Sequence, residues 1–162
     1  MASPTSTQFA VAVHVLTYLA SVAAESAGAD SDRATGSVRS VSSDELAASV
    51  NANPVHVRRV LGPLREAGLV SSRPGPRGGW GLGRSAADIT TAEVWDLVQG
   101  EDHVLGLHGP NPACPVGHSI QQSLVDLDAR ARQAVRAELG RVTVADLAAG
   151  VAVTAAPVSA GG

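Results

Sequence analysis

Arg58 and Arg59 stand side by side shortly after Asn53-Pro54, and Arg73 precedes and Arg77 sits within a run rich in proline and glycine, Pro74 to Gly79. A guanidinium forks onto guanine edges and phosphate oxygens, so arginines grouped in this way suit nucleic acid. Val55 and His56 precede the arginine pair, and Asn53 opens the same segment. A second group of reactive side chains follows: His103, His108, Cys114 and His118. These types bind transition metals, and a cysteine also carries redox chemistry. Catalytic patterns are missing. The sequence has no P-loop, no nucleophile elbow, no His-Glu-x-x-His and no paired loop carboxylates, and no local spacing unites a Ser, His and Asp. An enzyme is therefore not expected.

The arginines must be held by short elements. Ser42-Ser43-Asp44-Glu45 reads as a capping box with Ser42 as N-cap and Glu45 reaching back, ahead of Leu46, Ala47 and Val50 on an inward face. Asn51-Ala52-Asn53-Pro54 is a turn in which Asn53 suits an N-cap and Pro54 the first helical position. The helix that follows places Val57, Val60, Leu61 and Leu64 on one side. Pro63 falls inside it and is expected to kink it, and Gly68 suits its C-terminal cap. Leu69–Arg73 and Trp80–Gly83 read as two strands of a hairpin around the Pro74–Gly79 loop. The result is a helix-turn-helix followed by a β-wing, with Asn53, Val55, His56, Arg58, Arg59, Arg73, Arg77, Gly78 and Gly79 as the candidate DNA contacts. Backbone N–H groups at Asn53–Val55 could add a phosphate contact. Gly75, Gly78 and Gly79 would allow close approach to the duplex and positive φ.

Upstream, Thr7–Ala24 reads as an amphipathic core helix with Phe9, Val13, Leu16, Ala20 and Ala23 inward, and 25–40 as a mobile loop. No basic residue precedes this apolar stretch, which argues against a signal peptide or membrane span. Thr90-Thr91-Ala92-Glu93 reads as a second capping box, opening a helix with Val94, Trp95, Leu97 and Val98. Residues 101–118 read as a linker or sensor loop. The stripe Ile120, Leu124, Leu127, Ala131, Val135 and Leu139 marks a helix of about five turns. Thr143 caps a short helix through Leu147, and 150–162 read as a disordered tail. The expected division is a winged helix-turn-helix unit over 1–100, the loop over 101–118, a long helix with a short C-terminal one over 119–149, and the tail. The fold class is mainly α with a small β-hairpin.

Charge supports the assignment locally. The 162-residue chain carries a net charge of −3, yet between Asp44 and Arg84 it has 6 arginines against 3 acids. All 12 basic residues are arginine. Aromatics make up 2% of a chain that is 44% apolar, so the core relies on small side chains and gains from dimerisation. A single cysteine excludes an internal disulfide framework and points to a reducing cytoplasm.

With these elements in place, the chain resembles the Rrf-two-type winged-helix transcriptional regulators, the group that contains the iron–sulfur regulator IscR, the nitric-oxide sensor NsrR and the cysteine-metabolism regulator CymR. The resemblance runs from about Gln8 to Leu147. It rests on Phe9-Ala10-Val11, Val41-Ser42, the run Leu64-Arg65-Glu66-Ala67-Gly68-Leu69-Val70, and Gly75-Pro76 with Gly78-Gly79-Trp80. Ile89-Thr90 and Val142-Thr143-Val144-Ala145-Asp146-Leu147 complete it. It implies a homodimer on a roughly palindromic double-stranded DNA operator, usually as a repressor, with Ile120–Leu139 as the dimerisation helix, and it implies that Pro63 is tolerated. Two departures stand out. Gln8 replaces a basic residue often found there, and Pro74 replaces the arginine common before the wing Gly-Pro.

Cluster-binding members of that family present three cysteines before the dimerisation helix, whereas this chain has Cys114 alone. Three readings of the loop stay open. It could hold an iron–sulfur cluster or mixed Cys/His metal site built from His103, His108, Cys114 and His118. Cys114 could be a thiol switch beside the dimerisation helix. Or Cys114 only packs, as in cluster-free branches, and no cofactor is bound. A winged helix used only for protein contact is the remaining alternative to DNA binding.

Overall fold

The computed structural model describes residues 4–29, 39–76, 78–100 and 102–150. The chain is mainly helical with one small antiparallel sheet. Its elements are α1 (Pro4–Ala29), α2 (Ser43–Ser49), α3 (Pro54–Glu66), β1 (Val70–Arg73), β2 (Gly79–Leu82), α4 (Thr91–Gln99), α5 (Pro115–Leu139) and α6 (Val144–Ala149), with a 3-10 turn at Ala86–Asp88.

α1 is the central core helix. Its window Thr7–Ala27 is long and apolar enough to cross a membrane by composition, but it packs against α3, α4, α6 and β2. The buried stripe is Ala12, Val15, Leu16, Leu19, Ala20 and Val22, which shifts the expected face, since Phe9, Val13 and Ala23 are only half-buried. A helix apolar on nearly all sides does not announce which side is covered. It also extends past Ala24 into the segment expected to be a loop. The hydroxyl of Ser26 donates back to the Val22 carbonyl, so the helix satisfies this serine rather than ending at it. At the other end of that segment the Arg39 guanidinium pairs with Glu45; residues 30–38 lie outside the described residues.

The sheet pairs Val70 with Leu82 and Arg73 with Gly79. Its position is fixed by an extra bridge in which Val41 and Trp80 exchange two backbone hydrogen bonds, at 2.9 and 2.7 Å. The wing is thereby stitched to the residues that lead into α2.

The C-terminal helix does not group with the long helix as expected. α6 packs on α1, Val144 is fully buried in the core, and its N–H donates to the Ile89 carbonyl. Thr143 and Asp146 form a complete capping box. The other two boxes are half-formed: Ser42 and Thr90 each accept from the N3 amide, but the Glu45 and Glu93 carboxylates turn away to arginines. α5 begins at Pro115, so 115–118 are helical rather than loop, and the helix runs 25 residues instead of about five turns. Cys114 as N-cap and Pro115 at N1 account for the earlier start. The tail beyond Gly150 lies outside the described residues.

Candidate nucleic-acid interface

Local chemistry builds the helix-turn-helix. Asn51 takes φ +50 in the turn, a conformation asparagine tolerates better than most residues. Asn53 then caps α3, its Oδ1 accepting from the Val55 N–H at 2.8 Å, with Pro54 at N1. At the far end Gly68, at φ +74, closes the helix, as its N–H donates to the Arg65 carbonyl and that of Leu69 to Leu64. This pair of bonds is the Schellman arrangement. Helical structure runs through Pro63 to Glu66.

α3 presents two chemically distinct faces. Val57, Val60, Leu61 and Leu64 are buried, as expected. Opposite them Arg58 and Arg59 are exposed, Val55 is 62% exposed, and His56 is half-buried beside them. The expected phosphate cradle at the backbone of Asn53–Val55 is not open, because Pro54 has no N–H and Val55 spends its own on Asn53.

The glycines of the wing serve packing. A Cβ on Gly79, which sits at φ +148, would lie 2.6 Å from the Val41 carbonyl oxygen, and one on Gly78 would lie 2.1 Å from that of Arg73. These two were expected at the DNA surface; the structure gives them an internal reason, the close crossing of the wing over residue 41 and its own turn. Trp80, between them and Gly81, donates its indole N–H to Ser43 Oγ at 3.0 Å. Arg73 is exposed at the end of β1. Arg77, expected as the main wing cation, lies outside the described residues.

Ion pairing sorts the arginines. Glu45 holds Arg39 at 2.8 Å, Glu93 holds Arg84, Asp96 holds Arg136 at 2.7 Å, and Glu138 holds Arg141 at 2.8 Å. Arg58, Arg59, Arg65 and Arg73 make no ion pair among the described residues. Arg130 and Arg132 of α5 are likewise without an ion pair among the described residues, but only on α3 and the wing do unpaired arginines stand beside the helix-turn-helix, and they give that side local positive charge in a chain of net negative charge. Two side chains with no signal in the sequence brace it from behind. Tyr18 donates to Glu45 at 2.8 Å, and His14 lies 3.0 Å from Ser49 Oγ, so both join α1 to α2. The Arg39 fork holds the Glu45 carboxyl below its ordinary range, while burial, aided by Glu45, raises the Tyr18 hydroxyl. Contacts between residues this far apart in sequence leave no local pattern.

The family model described as "Rrf2: Iron-dependent Transcriptional regulator" matches residues 5–150. The chain belongs to the Rrf2 family. It is 38% identical over 107 residues to YwnA of Bacillus subtilis (strain 168), named as an HTH-type transcriptional regulator, covering 65% of this chain and 80% of YwnA. Among solved structures it is similar to a protein from Lactobacillus plantarum named as a transcriptional regulator, at TM-score 0.66 and 32% identity, covering 88% of this chain and 87% of that one. The fold alone is shared with CymR, the global cysteine regulator of B. subtilis, at TM-score 0.60 and 22% identity over 93% of this chain and 98% of CymR. The Rrf2 assignment makes the chain a transcriptional regulator and not an enzyme, in agreement with the missing catalytic patterns.

The candidate sensor loop of this Rrf2 chain is strapped to α5. Buried Asp128 accepts from the Leu105 N–H at 2.7 Å and lies 2.9 Å from His103 Nδ1. The Leu105 N–H first, and then His103, hold the Asp128 carboxyl below its ordinary range. Arg132 lies over the Trp95 ring at 5.0 Å and donates to the carbonyls of Gly100 and Asp102. Cys114 is half-buried, and its Sγ accepts from the Gly117 N–H at 3.4 Å. His108 and His118 are exposed. Among the described residues no three His, Cys, Asp or Glu side chains gather as a metal site. The mixed set His103, His108, Cys114 and His118 is therefore not assembled: His103 faces Asp128, and Cys114 faces the first turn of α5. These residues do not fit an iron–sulfur cluster, which needs a full ligand set for each iron.

Proposed function

We propose that the chain is a sequence-specific DNA-binding repressor that acts in the cytoplasm as a homodimer on a near-palindromic operator. The observation that carries this reading is the exposed face of α3, where Val55, Arg58 and Arg59 stand open and the arginines have no carboxylate partner among the described residues. A B-DNA major groove admits one helix, and its N-terminal residues reach the base edges. Val55, His56, Arg58 and Arg59 read bases. Asn53, Arg73, Arg77 and the Gly78-Gly79 turn lie along the backbone.

Dimerisation is supported by α5. Ile120, Leu127 and Val135 of the expected stripe are exposed, Leu124, Ala131 and Leu139 are half-buried, and Val116 adds a 71% exposed side chain at the start. An apolar stripe of this length left open is suited to a second copy of itself. Cys114 caps the same helix, so oxidation there would disturb α5 at its first turn. Thiol-dependent control of DNA binding is the regulatory part of the proposal.

The test is operator affinity as a function of salt for the wild type and for R58A/R59A/R77A. The log–log slope is expected to fall by about 0.9 for each phosphate that the variant no longer neutralises, with discrimination against non-operator DNA falling too. Unchanged affinity and slope in the triple variant would sink the DNA reading and leave a winged helix that binds protein.

A further inference from the structure

A crevice of about 360 Å³ lies between the second half of α1, the wing and the 3-10 turn. Its rim carries Arg39, Arg73 and Arg84 together with Ser40, Ser71 and Ser85, and among the described residues no Asp or Glu lines it. Alanines from α1 and the 3-10 turn, with Leu82, form an apolar floor. The volume falls at the small end of ligand sites, and an apolar floor with a few convergent polar groups is their usual composition.

The cations on this rim differ in a useful way. Arg39 is held by Glu45, through hydrogen bonds of 2.9 and 2.8 Å, and Arg84 by Glu93, while neither carboxylate lines the crevice. Those pairs fix the two guanidinium planes and leave further N–H donors on each. Arg73 has no ion pair among the described residues. Ser85 Oγ accepts from the Ala87 N–H, which leaves its own O–H to donate. The rim is thus rich in donors and carries one uncompensated positive charge.

We propose that this crevice is an oxyanion site that takes a phosphate group, with Arg73 as its principal cation and Arg39, Arg84, Ser40 and Ser85 as supporting donors. Arg guanidinium with hydroxyl donors is the pairing that phosphate oxygens select. The phosphate has two possible sources, a free phosphorylated small molecule or the backbone of bound DNA. A free ligand here would touch both strands of the wing and the segment leading to α2, since Ser40 precedes Val41 and Gly79 and Gly81 also line the crevice. It would therefore bear directly on how the wing is held.

Thermal unfolding of the full chain, titrated with inorganic phosphate and pyrophosphate at constant ionic strength, tests the site. Wild type is expected to show a saturable Tm rise of about 3–6 °C once the anion is tenfold above its Kd. Arg73→Ala, at an exposed position, should lose most of the rise, and Ser40→Ala should weaken it independently. Arg130→Ala, on α5, should keep it, which separates binding from the general stabilisation that such salts give. If neither anion acts on the free protein, the site survives only as a backbone contact: Arg73→Ala must then lower the salt slope of operator binding by about 0.9. The anion titration needs no DNA, so its success would stand even if the DNA reading fell. No saturable shift together with an unchanged salt slope in Arg73→Ala overturns the proposal.

Discussion

Replacing Gly79 by alanine should cost far more than the same change two residues along, at Gly81. Gly79 sits at φ +148, and its new Cβ would lie 2.6 Å from the Val41 oxygen and 2.9 Å from its carbonyl carbon. Holding a non-glycine residue in that region costs about 1–3 kcal/mol. The clash is with backbone, so it is relieved only by pulling Val41 from Trp80, which breaks the reciprocal bonds of 2.9 and 2.7 Å. Each net backbone bond is worth about 1 kcal/mol. Together the loss is about 3–5 kcal/mol, a large part of the ~5–15 kcal/mol that holds a typical domain. At Gly81 the nearest atom to a new Cβ is Ser71 Oγ, 4.0 Å away, so Gly81→Ala should change stability by less than about 1 kcal/mol. Urea unfolding followed by tryptophan fluorescence measures both, with the slope of free energy against urea checked for constancy. Equal losses in the two variants, or a loss below about 1 kcal/mol in Gly79→Ala, would mean that the wing is not anchored through Val41.

Other consequences follow from the same contacts. The Glu45, Asp128 and Asp146 carboxyls are all held below their ordinary values, by Arg39, the Leu105 N–H and Thr143 respectively. The unfolded chain therefore binds more protons, so their stabilisation is full above the ordinary carboxylate values and is lost as pH falls through the lowered folded ones. Asp128→Asn should flatten the acid limb of a Tm-against-pH curve, and an unchanged limb would contradict the role given to its hydrogen bonds. Ile120→Glu with Leu127→Glu should give a folded monomer by sedimentation, because both side chains are exposed within the protomer; a retained dimer would move the interface elsewhere. Arg58→Ala should weaken operator binding by about 1–3 kcal/mol if it reads a base, with discrimination abolished at one operator position. Cys114→Ser should abolish any difference in DNA binding between reduced and oxidised protein, and an oxidation effect that persists would place the switch elsewhere.

Local chemistry made much of the fold legible. Asn53-Pro54, Gly68 and the spacing of Val57, Val60, Leu61 and Leu64 each act within one helix, so α3 follows from sequence order alone. Cys114-Pro115 carries the same N1-proline signal as Asn53-Pro54 and could have placed the start of α5. What stayed hidden depends on partners distant in the chain. Glu45 and Glu93 look like capping-box residues until Arg39 and Arg84 arrive in three dimensions. The burial of Val144, and with it the docking of α6 on α1, needs α1 to be in place first. The wing glycines suggested DNA approach, because nothing near them in sequence reveals Val41 crossing behind. At the candidate site, Arg58, Arg59 and Val55 were visible from helix periodicity, whereas the lack of carboxylate partners for the arginines emerged only from the tertiary pairing.

If two copies of α3 read one sequence, selection of duplexes from a random pool by the purified full-length protein should reveal it. The expected product is a single inverted repeat whose half-site centres are about 10 bp apart, or a multiple of that spacing. The same selection with R58A/R59A should yield no such motif. Enrichment of no motif by the wild type, or of one without two-fold symmetry, would contradict the proposed mode of DNA reading.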